Sequence, residues 1–172
     1  MDKILPGLAM LAIIAVVFVL IGIGWRNRLR RQSDVEPLPE VPHQLTPALE
    51  EAEGQYVATT TAGDWLDRIA VHGLGIRTNA VLQVHPEGIL FDRSGAQPLF
   101  VPAASVTGIR QDSGMAGKFV EKDGLLVLSW KLGSRELDTG FRTRRAEDKT
   151  ALLKAFQELI PAAPKADADN GK

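Results

Sequence analysis

The pattern of apolar and polar positions divides the chain into three parts. An uncharged apolar run covers residues 4–25, alternating apolar and polar positions dominate the middle, and an amphipathic stretch follows near the end. As a helix, the first run would be about 33 Å long at a rise of about 1.5 Å per residue. Because this length covers the hydrocarbon core of a bilayer, we predict a transmembrane helix at residues 1–25, with residues 4–25 in contact with lipid.

Charges beside the apolar run predict its orientation. Trp25 lies where an aromatic side chain would anchor a helix at the membrane interface. Four arginines follow, at Arg26, Arg28, Arg30 and Arg31, whereas only Asp2 and Lys3 precede the run. Basic residues favour the cytoplasmic side, so we predict a single-pass protein of the cell membrane with its N-terminus outside and its C-terminal domain in the cytoplasm.

Two alternatives to a membrane anchor remain open for this run. A cleaved secretory signal would need a basic start, a shorter apolar core and a small-x-small cleavage site, which Gly22 and Gly24 imitate only weakly. A buried core helix is rarely apolar on every face over such a length. The length of the run and the arginines behind it favour the anchor.

Composition separates a linker, a folded domain and a tail. Residues 26–53 join the basic juxtamembrane stretch to a Pro- and Glu-rich segment, whose composition is typical of an extended spacer. His43 lies in this spacer, where we expect it to be solvated. Residues 161–172 are small and polar, which predicts a disordered tail. We therefore place the folded domain at residues 54–160.

Short β-type runs, separated by Gly, Pro, Asn and Asp, fill most of this domain. Ala80, Leu82 and Val84 share one face of a strand, and the turn residues 86–88 then predict a hairpin. A second hairpin is predicted around residues 132–134, where a glycine is available for a left-handed turn position. The pattern predicts seven or eight antiparallel strands.

The period of the pattern changes after Phe141. Apolar residues then follow at helical spacing, at Leu152, Leu153, Phe156, Leu159 and Ile160. Acidic residues at 147 and 148 mark the start of this helix and a proline at 161 marks its end. The predicted fold class is mainly β: an N-terminal transmembrane helix, then a roughly seven-stranded β-sandwich or barrel capped by one C-terminal α-helix.

Several sequence blocks carry a resemblance to a known family. They are "RTNAVLQVHPEGILFDRSG", "LFVPAASV", "GMAGKFVEKDGLLVLSWKLG" and "LDTGF". With the apolar run and its trailing arginines, they make the chain similar to actinobacterial membrane proteins that carry a pleckstrin homology (PH)-like domain. The resemblance covers nearly the whole chain and implies a PH-like fold and membrane attachment. That family is often labelled as export, transport or integral membrane proteins, and it implies no established activity or catalytic residue.

Composition also limits the chemistry. With 20 basic and 21 acidic residues, the formal net charge is -1, which gives no excess of positive charge for a nucleic acid partner. The chain has no cysteine, so it offers no thiolate nucleophile, disulfide or zinc–thiolate site. We expect no cofactor, no metal and no enzymatic activity.

The most suggestive motif is Asp138-Thr139-Gly140, the tripeptide that carries the catalytic carboxylate in aspartic proteases. Such a protease needs two carboxylates that share one proton, so a chain with one motif would have to dimerise. Gly140 is followed by only 32 of the 172 residues, mostly predicted helix and tail, which leaves too little chain for the rest of the site. We interpret the tripeptide as the end of the last strand, with short polar side chains that bond local backbone.

Two further motifs are weak. Residues 112–119 superficially resemble a phosphate-binding loop, but Asp112 stands where the first glycine belongs and Phe119 where a serine or threonine belongs. We expect a flexible glycine-rich loop there. His72 and His85 could share a metal ion, yet no acidic cluster at ligand spacing joins them. Surface or half-buried histidines are the favoured interpretation.

Basic residues suited to lipid contact are few. The region between the first two predicted strands offers only Arg68, beside Asp64 and Asp67, so specific binding of a phosphoinositide headgroup is not expected. A second group lies between the last strand and the helix, at Arg142, Arg144 and Arg145. It is the candidate for contact with anionic lipid, and an ordinary solvated junction is the alternative.

These observations favour a non-enzymatic, membrane-anchored adaptor that presents a PH-like domain to a protein or peptide partner, through an exposed strand edge. The alternative is an accessory subunit of a membrane transport or export system, a transporter component that would need partner subunits because one helix cannot form a translocation path. An aspartic-type protease is a remote third hypothesis.

Overall fold

The computed structural model describes residues 4–31, 35–115, 117–119 and 124–159, in two compact units, Met1–Asp34 and Val35–Lys172. The first unit contains one helix, α1 (Ile4–Arg31). Its Gly7–Gly24 segment is long and apolar enough to cross a membrane, and none of it is buried within the protein. The apolar N-terminal helix is therefore confirmed as an element of structure.

Helix α1 is longer than predicted. It continues through the basic stretch to Arg31 instead of ending at residue 25, because arginine, asparagine and leucine are all compatible with a helix interior. The side chain of Arg26 is exposed. The side chains of Trp25, Arg28, Arg30 and Arg31 lie outside the described part of the structure.

The second unit contains ten strands and one long helix within its described residues. The strands are β1 (Glu50–Thr61), β2 (Asp64–Arg68), β3 (Thr78–His85), β4 (Gly88–Arg93), β5 (Leu99–Pro102), β6 (Val106–Asp112), β7 (Gly114–Met115), β8 (Lys118–Phe119), β9 (Leu125–Leu132) and β10 (Arg135–Thr143), and the helix is α2 (Ala146–Leu159). Eight strands form one antiparallel sheet in the order β5-β4-β3-β1-β10-β9-β6, with β2 paired to β1. Strands β7 and β8 form a separate ribbon. The mainly β architecture with a C-terminal helix is confirmed.

Both predicted hairpins are present. His85 pairs with Gly88, so residues 86–87 form the turn between β3 and β4. Leu132 pairs with Arg135 in the β9–β10 hairpin, where Gly133 adopts a left-handed conformation with φ of 57°. A residue with a β-carbon is strained in that conformation, which explains why the turn carries glycine.

Two β-type runs of the sequence, "DRIAVHGL" at residues 67–74 and "PLFVPAASVTGIR" at residues 98–110, are each predicted as one strand but contain a 3-10 turn. In the first run, strand β2 ends at Arg68 and the turn Val71–Gly73 follows. The second run becomes two strands, because Pro102 lacks an amide donor and the turn Ala103–Ser105 follows it. This turn connects β5 and β6, the two edges of the sheet.

One large core lies on one face of the sheet, which we call the inner face. Tyr56, Phe91 and Phe141 meet there edge to face, with ring centroids 5.9 and 6.1 Å apart. Helix α2 packs Leu152 and Phe156 into the same core and lies against β1, β3 and β10. The predicted apolar stripe of the helix thus faces the sheet, while Ile160 lies outside the described residues.

The folded domain begins earlier than predicted. Strand β1 starts at Glu50, inside the segment 26–53 that we interpreted as juxtamembrane stretch and linker. Ala52 is 4% exposed while Glu51 and Glu53 face solvent, which is the alternation of a half-buried strand. Val35 also joins the core, at 7% exposed. The predicted tail, residues 161–172, lies outside the described residues.

A smaller apolar cluster lies on the opposite face of the sheet. Its members are Val57, Ala58, Met115, Leu125 and Val127. Met115, on β7, packs so closely on Gly140 of β10 that a β-carbon at position 140 would overlap its sulfur atom. The ribbon β7–β8 therefore covers part of this face, beside the site described below.

Candidate functional site

The carboxylate of Asp138 is buried in the middle of β10, where its side chain is only 5% exposed. Arg110 donates to both oxygens, with Nη1–Oδ1 and Nη2–Oδ2 distances of 3.2 and 2.9 Å. Ser129 donates its hydroxyl at 2.6 Å, and the Gly63 amide donates at 3.4 Å. The prediction that Asp138-Thr139-Gly140 ends the last strand is wrong, because β10 continues to Thr143.

Strand register brings these groups together. Asp138 pairs with Ser129 across β10 and β9, and β9 pairs in turn with β6, which carries Arg110. Side chains of paired residues lie on the same face of a sheet, so three neighbouring strands direct their polar groups to one place. The Gly63 amide comes from the turn between β1 and β2. Long-range pairing, and not local backbone bonding, therefore satisfies Asp138.

These contacts determine the charge of the carboxyl group. Burial raises the pKa of Asp138, but hydrogen bonds from Arg110 and Ser129, and the positive charge of Arg110, outweigh it, so the pKa lies below its ordinary value. The group is thus ionised at neutral pH and its lone pairs are engaged by four donors. An aspartic protease needs a carboxyl that holds a proton near its working pH, and this arrangement disfavours that chemistry.

Thr139 belongs to a second network, on the inner face of the sheet. Its hydroxyl accepts a hydrogen bond from the Trp130 indole at 2.9 Å and lies 2.7 Å from the Thr59 hydroxyl. Tyr56 extends this network, since its hydroxyl donates to the Leu74 carbonyl at 2.8 Å. Burial raises the pKa of Tyr56 to about 12. Neighbouring residues of the tripeptide therefore serve opposite faces of β10.

A surface pocket of about 330 Å³ opens beside Asp138, and we call it the Trp65 pocket. Its charged lining includes Arg110, Asp112 and Asp138, and its apolar lining includes Trp65, Met115 and Val127. Trp65, on β2, is 44% exposed. Thr60 also lines the pocket, and its buried hydroxyl has no hydrogen-bond partner among the described residues. The pocket combines an aromatic ring, charges of both signs and a buried hydroxyl.

Asp112 closes its own loop at the rim of the pocket. Its Oδ1 accepts hydrogen bonds from the amides of Ser113 and Gly114, at 2.7 and 3.3 Å. These are the backbone donors that a phosphate-binding loop would present to an anion. Because a carboxylate of the chain occupies them, residues 112–119 do not form such a loop in their described part.

The candidate lipid-contact arginines lie at the junction of β10 and α2. Arg144 pairs with Glu53 at 3.0 Å, while Arg145 pairs with Asp148 at 3.2 Å. The hydrogen bond to Asp148 raises the pKa of Arg145. Arg142 lies on β10 opposite Gln55 and is half-exposed. Internal carboxylates thus pair with Arg144 and Arg145, although both side chains remain largely exposed.

The histidines occupy unrelated positions. His43 and His72 are exposed, and His72 lies in a 3-10 turn with φ of 55°. His85 is buried, and its Nδ1 lies 2.7 Å from the Thr46 carbonyl oxygen. Among the described residues, no group of three or more His, Cys, Asp or Glu side chains is arranged to hold a metal ion.

Comparison with known proteins identifies the fold. The family described as "Bacterial PH domain-like" matches residues 35–157. The chain belongs to this family. The PH-like fold implied by the sequence blocks is therefore confirmed, and the family match begins at residue 35, where the second compact unit of the structure also begins.

Solved structures give a more distant comparison for this PH-like protein. A structure of Vav1 inhibited by an allosteric inhibitor has a TM-score of 0.41 and 19% identity, and covers 78% of this chain and 33% of its own. The C-terminal domain of an unknown protein from Leishmania infantum has a TM-score of 0.39 and 13% identity, and covers 79% and 97%. This chain thus spans about a third of the Vav1 chain. No curated protein matches it.

Sequence reasoning did not find the Trp65 pocket of this PH-like domain. Trp65 lies in the short stretch "DWLDR", which we examined only for basic residues. Arg110 is one arginine in a β-type run, and nothing local relates it to Asp138, 28 positions later.

Proposed function

We propose that this PH-like protein is a single-pass, membrane-anchored binding module that presents its domain at the cytoplasmic face to a protein partner, without enzymatic activity. The observation that carries the proposal is the bacterial PH domain-like match over residues 35–157, directly after an apolar helix long enough to span a bilayer. Domains of this kind generally bind other molecules.

The arginines after the apolar segment support the cytoplasmic orientation. A C-terminal fusion to green fluorescent protein should fluoresce, whereas a fusion to alkaline phosphatase should remain inactive. Changing Arg26, Arg28, Arg30 and Arg31 to glutamine should reduce this bias, and changing Arg77 in the folded domain serves as the matched control. An active phosphatase fusion would contradict the proposed topology.

The position of strand β6 supports the proposal of a protein partner. It forms one edge of the sheet, covers seven residues and contains no proline. Such an edge can pair with an extended segment of a partner, as in other cases of strand addition. Its exposed residues include Thr107, which faces away from the core.

Site-specific photo-crosslinking in native membranes tests this binding. A photoreactive phenylalanine analogue at Thr107 should give a defined adduct with one protein, whereas the same analogue at Lys154, on the exposed side of α2, serves as the matched control. The analogue can also be placed at other exposed positions. If none of them gives an adduct under any growth condition, the result would contradict the adaptor function. An adduct with a polytopic transport protein would favour the accessory-subunit alternative.

Lipid contact through Arg142, Arg144 and Arg145 stays a prediction. The ion pairs of Arg144 and Arg145 reduce the electrostatic contribution of these residues to the free energy of binding to an anionic membrane. Flotation of residues 35–172 with neutral and anionic vesicles measures this gain. Equal recovery with both vesicle types would contradict lipid contact.

A further inference from the structure

The proline-rich segment before β1 is attached to the domain at both of its ends. At its start, Val35 is buried in the core, and the carboxylate of Glu36 lies so close to Gly133 that a β-carbon at that position would overlap it. At its end, the Thr46 amide donates to the carboxylate of Glu87 at 3.1 Å. Between these attachments, residues 36–42 lie in neither a helix nor a strand.

Three prolines, at positions 37, 39 and 42, restrict the backbone of this segment. The ring of each proline fixes φ near about −65°. Each ring also keeps the residue before it out of the α-helical region. Within residues 36–42, only Glu40 escapes both restrictions. The segment therefore favours a polyproline II helix, with three residues per turn and a rise of about 3.1 Å per residue. We call residues 35–43 the proline rod.

Exposure along the proline rod follows this period of three. One edge faces the domain, because Val35 is buried and both Leu38 and Val41 are half-buried. Leu38 packs against the core. The other two edges carry all three prolines and both glutamates: Glu36, Pro39 and Pro42 on one, and Pro37, Glu40 and His43 on the other. Five of these six residues are exposed, and the second proline is half-buried.

The outward edges suit a groove lined with aromatic side chains. Proline-rich segments in this conformation dock into such grooves, and a preformed helix loses little conformational entropy when it binds. Here the packing of Leu38 and the hydrogen bond of Thr46 hold the rod in place before any partner binds. Glu40 places an exposed negative charge between the second and third prolines, which favours a groove with a lysine or arginine at its rim.

We propose that the proline rod binds an aromatic-lined groove of a partner protein. The three prolines contact the aromatic rings, a basic residue of the groove pairs with Glu40, and Leu38 and Val41 stay packed on the domain. This inference rests on the proposed binding function. It involves no residue of strand β6, so the two contacts can be tested separately.

Site-specific photo-crosslinking of the full chain in native membranes tests the inference. The photoreactive phenylalanine analogue replaces His43, which is exposed on an outward edge of the rod, and Lys154 on α2 is the control position. Tandem mass spectrometry then locates the crosslinked residue in the partner. We expect an adduct with one protein, at a site among tryptophan, tyrosine or phenylalanine residues, and no such adduct from position 154.

Matched variants identify the groups responsible. Pro39→Ala combined with Pro42→Ala should reduce the yield of the position-43 adduct by about fivefold or more, the size expected when central contacts of an interface are removed. Glu40→Lys should reduce it as well, because the charge would then repel the basic rim. Pro47→Ala, outside the rod, and Glu158→Lys, on the exposed side of α2, should leave the yield unchanged.

Specific results would overturn the inference. A position-43 adduct that withstands the double proline replacement would contradict recognition of the prolines, even if that variant melts at a lower temperature, because the rod would then only stabilise the domain. An adduct with lipid, or with a partner segment that lacks aromatic residues, would also overturn it.

The same experiment separates this inference from the proposed function. An adduct from Thr107 without one from position 43 would overturn the inference and leave the adaptor function intact. Absence of an adduct from every exposed position would contradict both. An adduct from position 43 that depends on the prolines and on Glu40, without one from Thr107, would support the proline rod and contradict strand addition at β6.

Discussion

Removal of the Arg110 guanidinium should reveal how far the fold depends on a neutralised Asp138. Arg110→Met keeps an unbranched stem but leaves a carboxylate that is 5% exposed, with donors only from Ser129 and Gly63. Breaking a buried ion pair costs about 3–5 kcal/mol. Because the Arg110 side chain is 47% exposed and solvent screens the pair, we expect a smaller loss in the free energy of unfolding, about 2–3 kcal/mol at neutral pH.

The size of this loss should depend on pH. In the wild type, the pKa of Asp138 lies below its ordinary value of 3.8, so the pair stabilises the fold above that value and the contribution disappears as the pH falls through the folded-state pKa. Without Arg110, we expect the effect of burial to dominate and to raise the pKa of Asp138. Protonation of Asp138 then reduces the loss of stability in Arg110→Met. The difference in unfolding free energy between wild type and variant should therefore shrink as the pH falls from neutral toward the ordinary value.

Urea denaturation of the full chain in detergent micelles measures these free energies. Trp130 is fully buried, and its fluorescence reports unfolding of the domain in a background that carries Trp25→Phe and Trp65→Phe. Arg77→Met, which removes an exposed arginine that donates to Gln55, is the matched control and should cost less than about 0.5 kcal/mol.

A double variant tests whether the unpaired charge of Asp138 causes the loss of stability. Arg110→Met with Asp138→Asn removes both charges, so it should be more stable than Arg110→Met alone at neutral pH, and less dependent on pH. An Arg110→Met protein within about 0.5 kcal/mol of the wild type would refute the reasoning. A loss that stays constant between neutral and acidic pH would refute it as well, because the charge of Asp138 would then not be its cause.

Two further predictions concern other parts of the domain. Tyr56 is the only tyrosine, so its ultraviolet absorbance should titrate once, near pH 12, and the raised pKa should cost stability as the pH rises above the ordinary value of 10.0. A titration centred at that ordinary value in the folded protein would contradict this. Gly54→Ala should destabilise the domain by about 1–3 kcal/mol in thermal unfolding, because a β-carbon would overlap the Arg142 carbonyl oxygen, whereas Gly108→Ala meets no neighbouring atom and should have little effect. Equal melting temperatures for these two variants would contradict the packing.

Local signals in the sequence predicted the elements that depend on local physics. The turn at residues 86–87 and the left-handed Gly133 follow from turn chemistry, and both hairpins are in place. The apolar spacing that includes Leu152 and Phe156 follows from the helical period and faces the core. In each case the residues that decide the structure are neighbours in the sequence, so one window contains the whole signal.

The segment before β1 could not be assigned from composition. Its prolines and glutamates predicted a spacer, but single side chains attach it to the domain. Val35 is buried, and Thr46 bonds Glu87 through its hydroxyl, 41 positions away. This bond lowers the pKa of Glu87. Average composition does not register isolated contacts of this kind, because each depends on a partner distant in the chain.

Asp138 shows the same limit at the candidate site. Asp, Thr and Gly are turn-prone residues, and this local preference predicted a strand end. The tertiary structure reverses it, because Arg110 and Ser129 neutralise and bond the carboxylate within the sheet. Strand pairing with β1 on one side and β9 on the other keeps the tripeptide extended.

The geometry separates two roles among the acidic residues of the site. Asp138 lies on β10 and accepts hydrogen bonds from β6, from β9 and from the β1–β2 turn. Its charge therefore holds together the elements that line the Trp65 pocket. Asp112 lies at the rim and is 43% exposed; within the described residues it accepts hydrogen bonds from its own loop and forms a 3.8 Å ion pair with Arg110. Loss of the Asp138 charge should therefore cost more stability than loss of the Asp112 charge.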